Sequence, residues 1–175
     1  MPQKLLLLVS VGSPPPTLLK DLEEPIATHL GLTAVVSKVA LARPDYAFNK
    51  DRSQYHCNAI LRRLVTLLEP GQPMVMGVTD VDLFVPDSAF VFGEADRESH
   101  AAVVSTARLR TGVDADQLRR RVQVEGVHQA GHLLGLSYCE DARCVMFFAQ
   151  APVDTDRKQL GLCNLCRNEL AKLHR

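Results

Sequence analysis

Two histidines four residues apart, His128 and His132, place the strongest constraint on how this chain folds. An α-helix returns to the same face every three to four residues, so a helix here holds both imidazoles side by side. Two imidazoles in that arrangement can reach one metal ion. Gly135 follows where such a helix would have to turn. The spacing predicts a metal-facing helix; the alternative is a pair of core or surface histidines, since short patterns also occur by chance.

Two positions around these histidines carry residues that weaken zinc-peptidase chemistry. In the pattern H-E-x-x-H-x-x-G-x-x-H, the glutamate takes a proton from metal-bound water and the last histidine is the third ligand. This chain has Gln129 at the glutamate position and Tyr138 at the last position. Losing a positioned base costs roughly 10²–10⁴ in rate. Gln129 therefore marks the position of the general base without its function, and Tyr138 could act as third ligand only if its backbone retreated.

Four cysteines follow the histidines in two close pairs. The pairs are Cys139 with Cys144, and Cys163 with Cys166. Four thiolates in such spacings suit tetrahedral Zn²⁺, and a site of this kind keeps no open position for substrate. We interpret the four as one structural zinc site. The alternative of two disulfides would need an oxidising compartment, and Cys57 remains as a small buried apolar residue.

With these cysteines, the sequence resembles the archaemetzincins, whose signature runs H-E-x-x-H-x-x-G-x-x-H-C-x4-C-x-M and then C-x-x-C. The similarity begins at about residue 46 and includes the segments 54–55, 77–83, 90–95 and 105–109. The resemblance implies an α+β fold, a single metzincin-like domain over residues 1–175 with a twisted mixed sheet and an active-site helix. A small C-terminal four-cysteine zinc subdomain would occupy about 136–175, after an N-terminal subdomain of about 1–135.

The resemblance also implies roles for single residues. His128 and His132 would bind a catalytic zinc, and the four cysteines would bind a second zinc. Met146 would form the methionine turn beneath the catalytic metal. A sheet edge above the cleft, to which an extended peptide can add, would be formed by Phe90, Val91, Phe92 and Gly93. The alternative for this segment is an ordinary strand shielded by the loop that follows it.

Three functions remain open at this point. The first is a catalytically impaired zinc metallopeptidase homologue, a pseudopeptidase, that binds structural zinc and an extended peptide. The second is an active peptidase with a rearranged metal site, in which Glu125 acts as base. The third is a structural or interaction protein whose cleft Tyr138 fills. Because both Gln129 and Tyr138 depart from the signature, natural divergence explains them better than an engineered change at one position.

Charge and composition limit the partners. The chain has 20 basic and 20 acidic residues, so no net field draws it to nucleic acid or to an anionic membrane. Its 175 residues, 46% of them hydrophobic, suffice for the core of one domain. The apolar run 5–11 meets three prolines instead of a cleavage site, which favours a buried strand over a secretion signal. Paired zinc-type cysteines suit a reducing interior, and we expect a cytoplasmic monomer.

Apolar periodicity predicts the order of the elements. Strands are expected at 4–11, 34–39, 74–79, 90–92 and 101–105, and helices at 18–30 and 54–68. A third helix, capped by Asp114 or Asp116, should run to Leu134 and carry both histidines. Gly126 and Gly131 weaken this helix by up to about 1 kcal/mol each, so close packing must compensate. The polar segments 44–52, 94–100 and 154–158 are expected to be loops.

Overall fold

The computed structural model describes residues 4–174 as eight strands and six helices. The strands are β1 (Leu5–Val11), β2 (Thr33–Val36), β3 (Phe48–Asn49), β4 (Gln54–His56), β5 (Met74–Thr79), β6 (Leu83–Phe84), β7 (Gly93–Asp96) and β8 (Ala101–Ser105). The helices are α1 (Pro16–Lys20), α2 (Glu23–Leu30), α3 (Cys57–Val65), α4 (Ala115–Leu133), α5 (Pro152–Arg157) and α6 (Asn164–Leu173). This mixture confirms the predicted α+β class.

A five-stranded mixed sheet in the order β2-β1-β5-β8-β7 organises these elements. The first four strands are parallel, and β7 runs antiparallel to β8 at the end of the sheet. A smaller sheet has the order β3-β4-β6. The central strands read as continuous apolar runs because helices cover both of their faces.

Side chains that alternate along the strands build the core on both faces of the sheet. Leu6 and Leu8 of β1 pack in one cluster with residues of α2 and α4. Leu7 and Val9 face the other way, into a cluster with α3. The segment 144–146 packs on the α4 side, so it shares a core with the histidine helix. In residues 4–174 no helix is long and apolar enough to cross a membrane.

Helix α4 lies close to its neighbours at the two glycines. Asp114 caps the helix, and its Oδ1 accepts from the Gln117 N–H at 2.8 Å, which decides between the two predicted caps. A Cβ built on Gly126 would lie 2.4 Å from Leu22 Cδ2, and one built on Gly131 would lie 2.6 Å from Met146 Sδ. The expected close packing at both glycines is therefore confirmed.

Two predicted helices have different boundaries in the structure. The helix expected at 18–30 is two helices, α1 and α2, which meet at Asp21 and Leu22. The helix expected at 54–68 begins only at Cys57, because 54–56 form strand β4 between β3 and β6. In both places tertiary contacts override the local periodicity.

The prediction of a strand at 90–92 is also wrong. Val91 forms only an isolated bridge to Leu83, and strand β7 begins at Gly93 and includes part of the predicted loop 94–100. The sequence misled because β7 is a short edge strand with few apolar residues, whereas Phe90 and Phe92 pack in a small separate cluster. The segment 44–52 holds a 3₁₀ turn at Asp45–Ala47 and strand β3.

Replacing Gly126 with alanine tests the close contact between α4 and Leu22. In an open helix this change stabilises by about 1 kcal/mol. Here we expect Gly126→Ala to lower the free energy of unfolding by about 1–3 kcal/mol, since the methyl group overlaps the fully buried Leu22. Urea denaturation measures the change. The exposed control Arg119→Ala on the same helix should stay within about 0.5 kcal/mol of the parent, and a stabilising Gly126→Ala would contradict the packing argument.

Candidate metal centres and peptide cleft

The two histidines occupy the last turns of α4 and face each other. Their Nε2 atoms are 3.1 Å apart. The Nδ1 atom of His128 lies 2.8 Å from the Val145 carbonyl oxygen, and that of His132 lies 2.8 Å from the Leu136 carbonyl oxygen. Because a carbonyl can only accept, each Nδ1 carries the proton and each Nε2 keeps a lone pair. A backbone partner at the far nitrogen is the usual support of a metal-binding histidine.

The pair fits a metal ion in its charge state and in its spacing. Burial lowers the pKa of both histidines, for His128 well below its ordinary value, and the charge of Lys158 lowers them further. The neutral imidazole is the form that binds a metal. Two nitrogens bound to tetrahedral zinc at about 2.0–2.1 Å stand roughly 3.3 Å apart, close to the 3.1 Å found here.

Tyr138 borders the histidine pair with its ring. The ring centroid lies 4.6 Å from that of His132, 5.8 Å from that of His128 and 5.2 Å from that of Phe148. Partial burial raises the pKa of the Tyr138 hydroxyl, and the nearby carboxylates of Glu94 and Glu125 raise it further. The residue is 57% exposed, so it forms one rim of the site.

Gln129 lies on the floor of a cleft between α4 and strand β7. Gln129 is only 5% exposed, and its Nε2 would be 2.9 Å from a Cβ built on Gly93. Within residues 4–174 no hydrogen bond to its amide group is formed. The cleft has a volume of about 190 Å³, and its walls are the segment 88–93, one face of α4, Tyr138 and the segment 148–150. The amide of Gln129 is therefore nearly buried and open to the cleft.

Glu125 lies one helical turn before Gln129 and is held by a buried lysine. Lys158 Nζ is 3.1 Å from Glu125 Oε1 and 3.0 Å from the Val145 carbonyl oxygen, and its side chain is fully buried. Burial raises the pKa of Glu125, and Lys158 opposes that shift. The Val145 carbonyl thus accepts from both His128 and Lys158. Sequence reasoning missed this network, since the polar run 154–158 was expected to be a solvated loop and is instead α5 followed by Lys158.

Met146 lies directly beneath the histidine helix. It is fully buried, and its sulfur occupies the space that a side chain on Gly131 would need. The backbone N–H of Met146 donates to Cys144 Sγ at 3.4 Å, so the same turn also contacts the cysteine cluster. Met146 therefore lies under the histidine helix, and its role in a methionine turn beneath a catalytic metal stays a prediction.

The cleft wall 88–93 is anchored from behind by polar side chains. Gln54 Nε2 donates to the Ala89 carbonyl at 2.8 Å and to Asp82 Oδ2 at 3.1 Å. Arg108 forms a two-pronged ion pair with Asp82 and lies over the Phe90 ring at 4.2 Å. Gln54, Asp82 and Arg108 come from segments that carried the family resemblance, which was the available signal for their shared role in positioning this wall.

The four paired cysteines come together at the C-terminal end. Their sulfurs all lie within 4.8 Å of one another, and Cys139 Sγ is 3.7 Å from Cys163 Sγ. Sulfurs bound to tetrahedral zinc at about 2.3 Å stand roughly 3.8 Å apart, so the cluster fits one zinc ion. All five cysteines are free thiols, including Cys57, which is buried and distant in sequence from the other four. Backbone N–H groups of Asp141 and Cys163 donate to sulfurs of the cluster at 3.4 Å.

Fold and site together define a metzincin-like zinc-peptidase scaffold, and known proteins show the same. The model of peptidase family M54 matches residues 29–172. The archaemetzincin of Methanocaldococcus jannaschii is 35% identical over 165 residues, which are 91% of this chain and 89% of that protein. The archaemetzincin of Methanopyrus kandleri is 37% identical over 150 residues, 86% of this chain and 84% of that one.

Solved structures agree. The crystal structure of the Methanopyrus kandleri archaemetzincin has a TM-score of 0.88 and 33% identity, and covers 98% of this chain and 96% of its own. That of a zinc-dependent peptidase from Methanocorpusculum labreanum has a TM-score of 0.85 and 25% identity, with 94% and 99% covered. This chain belongs to the archaemetzincins, a family of zinc metallopeptidases. The predicted resemblance and fold are confirmed, and the division at about residue 135 stays a prediction.

The buried pair Lys158–Glu125 makes a testable contribution to stability. Lys158→Met leaves the Glu125 carboxylate buried without its cation, and breaking one partner of such a pair costs about 3–5 kcal/mol. The double variant Lys158→Met/Glu125→Gln removes both charges and should recover much of that loss. Thermal or urea unfolding measures each variant. Equal losses in the single and double variants would show that the unpaired charge of Glu125 is not the cause of the loss.

Proposed function

We propose that this chain is a zinc-binding archaemetzincin homologue that binds extended peptides in its cleft and hydrolyses them poorly or not at all. The observation that carries the proposal is Gln129 at the position of the general base. Its neutral amide cannot take a proton from water at ordinary pH. The reaction would therefore lack the group that turns a bound water into a nucleophile.

Among the described residues that line the cleft, Glu125 is the one carboxylate, and it is not placed to replace the missing base. Glu125 lines the cleft, but it is 2% exposed and its carboxylate is paired with Lys158. A base must reach the proton that it abstracts within hydrogen-bond distance or through one water. Releasing Glu125 for that purpose would leave the Lys158 charge buried and unpaired, which is costly.

Zinc has two candidate positions with different consequences. At the four cysteines, zinc would be structural, because every tetrahedral position is taken by a thiolate. At His128 and His132, zinc would supply a Lewis acid that polarises a carbonyl. This second site has two of the three protein ligands that a catalytic zinc usually has, with Tyr138 on its rim. Weak or absent metal at the histidines also disfavours hydrolysis.

The cleft keeps features that suit a peptide. Strand β7 ends the five-stranded sheet, so its outer edge is available for an extended segment to pair with. Phe90, Phe92 and Phe148 supply an apolar wall. Tyr138 does not fill this space, since it is 57% exposed and the cleft retains about 190 Å³. This argues against the third hypothesis, in which Tyr138 fills the cleft.

The remaining parts of the proposal concern location and partners. The balanced charge of 20 basic and 20 acidic residues gives no general attraction to nucleic acid or to an anionic membrane. Free thiols arranged for zinc are favoured in a reducing compartment. We therefore place the protein in the cytoplasm as a monomer with a peptide or protein segment as its partner.

A second candidate function is an active peptidase with a rearranged metal shell. One observation favours it, since the Nε2 lone pairs of His128 and His132 converge at 3.1 Å as a metal pair would require. In that case Tyr138 or water would complete the shell. The argument against it is that no free base lies among the described residues that line the cleft.

Peptide hydrolysis separates the two candidates. We expect the parent protein to cleave a quenched fluorescent peptide library at or near background. Gln129→Glu/Tyr138→His should raise the rate by about 10² or more, because it restores both the base and the third ligand. Gln129→Glu/Tyr138→His/His132→Ala is the matched control and should lose that gain. Measurable turnover by the parent that is abolished by chelator and by His132→Ala would favour the second candidate.

Zinc content per chain tests the two metal positions. By elemental mass spectrometry we expect one tightly held zinc that survives mild chelation and is unchanged in His128→Ala. Cys144→Ser should lose it, because a fully buried thiolate ligand is removed. Two zinc ions per chain, one of them lost both on chelation and in His128→Ala, would show that the histidine pair still holds metal.

A further inference from the structure

We infer that Gln129 binds one extended residue of a peptide ligand, with its NH₂ donating to the carbonyl of that residue and its carbonyl accepting from the N–H of the same residue. The inference rests on the proposed peptide-binding function and assigns the ligand class and the residue that recognises it. In this view the residue at the position of the missing base has become a recognition residue. A recognition role for Gln129 would distinguish a peptide receptor from an enzyme that has merely lost its activity.

The state of the Gln129 amide is the first support. Gln129 is only 5% exposed, yet its side-chain amide makes no hydrogen bond to any residue between 4 and 174. Nearly buried amides are almost always hydrogen-bonded, because leaving one unpaired is costly. No fully enclosed side-chain polar atom in the described chain lacks a partner. The amide of Gln129 is therefore accessible from the cleft, where a ligand can satisfy it.

The neighbouring backbone supplies a matching donor and acceptor. The Ser105 N–H donates to the Phe92 carbonyl at 2.8 Å, and Gly93 pairs with Val104. Along an antiparallel ladder, hydrogen-bonded pairs alternate with pairs whose N–H and C=O point outward. Gly93 therefore directs its N–H and C=O to the outer edge of β7. The Gln129 side chain lies against this same glycine. The amide of Gln129 and the backbone N–H and C=O of Gly93 therefore line the same side of the cleft.

The lining of the cleft selects a neutral ligand. Among the described residues that line it, none is lysine or arginine, and the nearest buried cation, Lys158, is paired with Glu125. A free carboxylate or a phosphate would find no cation on this lining to offset its charge. An internal peptide group has one donor and one acceptor and no charge. The rings of Phe90 and Phe92, 5.4 Å apart, leave an apolar wall for an adjoining apolar side chain.

Glutamate at this position would bind the same ligand less well. A carboxylate keeps the acceptor and loses the donor, and its charge would face the peptide carbonyl oxygen. A side chain at position 93 could not supply the lost donor, because even a methyl group there would lie 2.4 Å from the Val103 carbonyl oxygen. The exchange of glutamate for glutamine thus removes the chemistry and adds a hydrogen bond.

Binding of capped peptides tests the inference. The protein, as purified with its zinc, is screened against N-acetylated, C-amidated hexapeptides with phenylalanine or leucine at one fixed position. The tightest binder is labelled with fluorescein and titrated by anisotropy. We expect Gln129→Glu to weaken binding about tenfold and Gln129→Ala about 3- to 10-fold, the effect of one hydrogen-bonded group. Arg119→Gln, an exposed position on the same helix, changes the net charge by the same amount and should bind like the parent.

An ester scan of the peptide identifies the recognised bond. Each peptide N–H is replaced in turn by an ester oxygen, which removes one donor. One ester should cost about 3- to 10-fold with the parent and nothing further with Gln129→Ala, and this coupling would not arise from a general structural effect. The same peptide with a free C-terminal carboxylate should not bind better.

Three outcomes overturn the inference. Equal affinity of the parent and Gln129→Glu, with their folding matched by circular dichroism, rejects the role of Gln129 and leaves peptide binding intact. Ester costs that persist unchanged in Gln129→Ala do the same. If no library peptide binds the parent at high concentration, the proposed function fails and the inference fails with it.

Discussion

The carbonyl of Val145 is the contact on which the centre of the molecule depends. It accepts from His128 Nδ1 at 2.8 Å and from Lys158 Nζ at 3.0 Å, so one backbone oxygen fixes two buried side chains from different segments. The Val145 N–H donates in turn to Gly161. A buried lysine is tolerable only when it is paired and hydrogen-bonded, and here Glu125 completes the set. The orientation of a candidate metal ligand therefore depends on a charge network behind it.

Close packing beneath α4 joins this network to the cysteine cluster. Met146 fills the space under Gly131, while its backbone N–H donates to Cys144 Sγ. Because the two candidate metal positions share one short turn, zinc at the cysteines would stabilise the floor of the histidine site even when no metal is bound there. This explains how a scaffold can keep its cleft after the catalytic residues have changed, since the parts that support it serve folding as well as chemistry.

Much of the fold and of the candidate site was predictable from patterns that arise from short-range geometry. The spacing of His128 and His132 predicted one helical face, and the paired cysteines predicted a single cluster, because both depend on distances along the chain. The continuous apolar run of β5 likewise predicted a strand. Edge strand β7 was misplaced because its four residues include a glycine and two carboxylates, which resemble a loop until β8 pairs with them. Strand β4 was hidden in an apparent helix because its partners are distant in sequence.

The sequence alone determined the family, the paired histidines, the four thiols and the two residues that depart from the catalytic pattern, because each is a matter of residue type and spacing. Only the tertiary structure decided how these residues are used. It buried Lys158 against Glu125, which removes the obvious substitute base. It also left Tyr138 on the rim and turned the Gln129 amide toward an open cleft beside Gly93. Such facts depend on contacts between residues far apart in the chain, where burial and pairing of charge set the free energy.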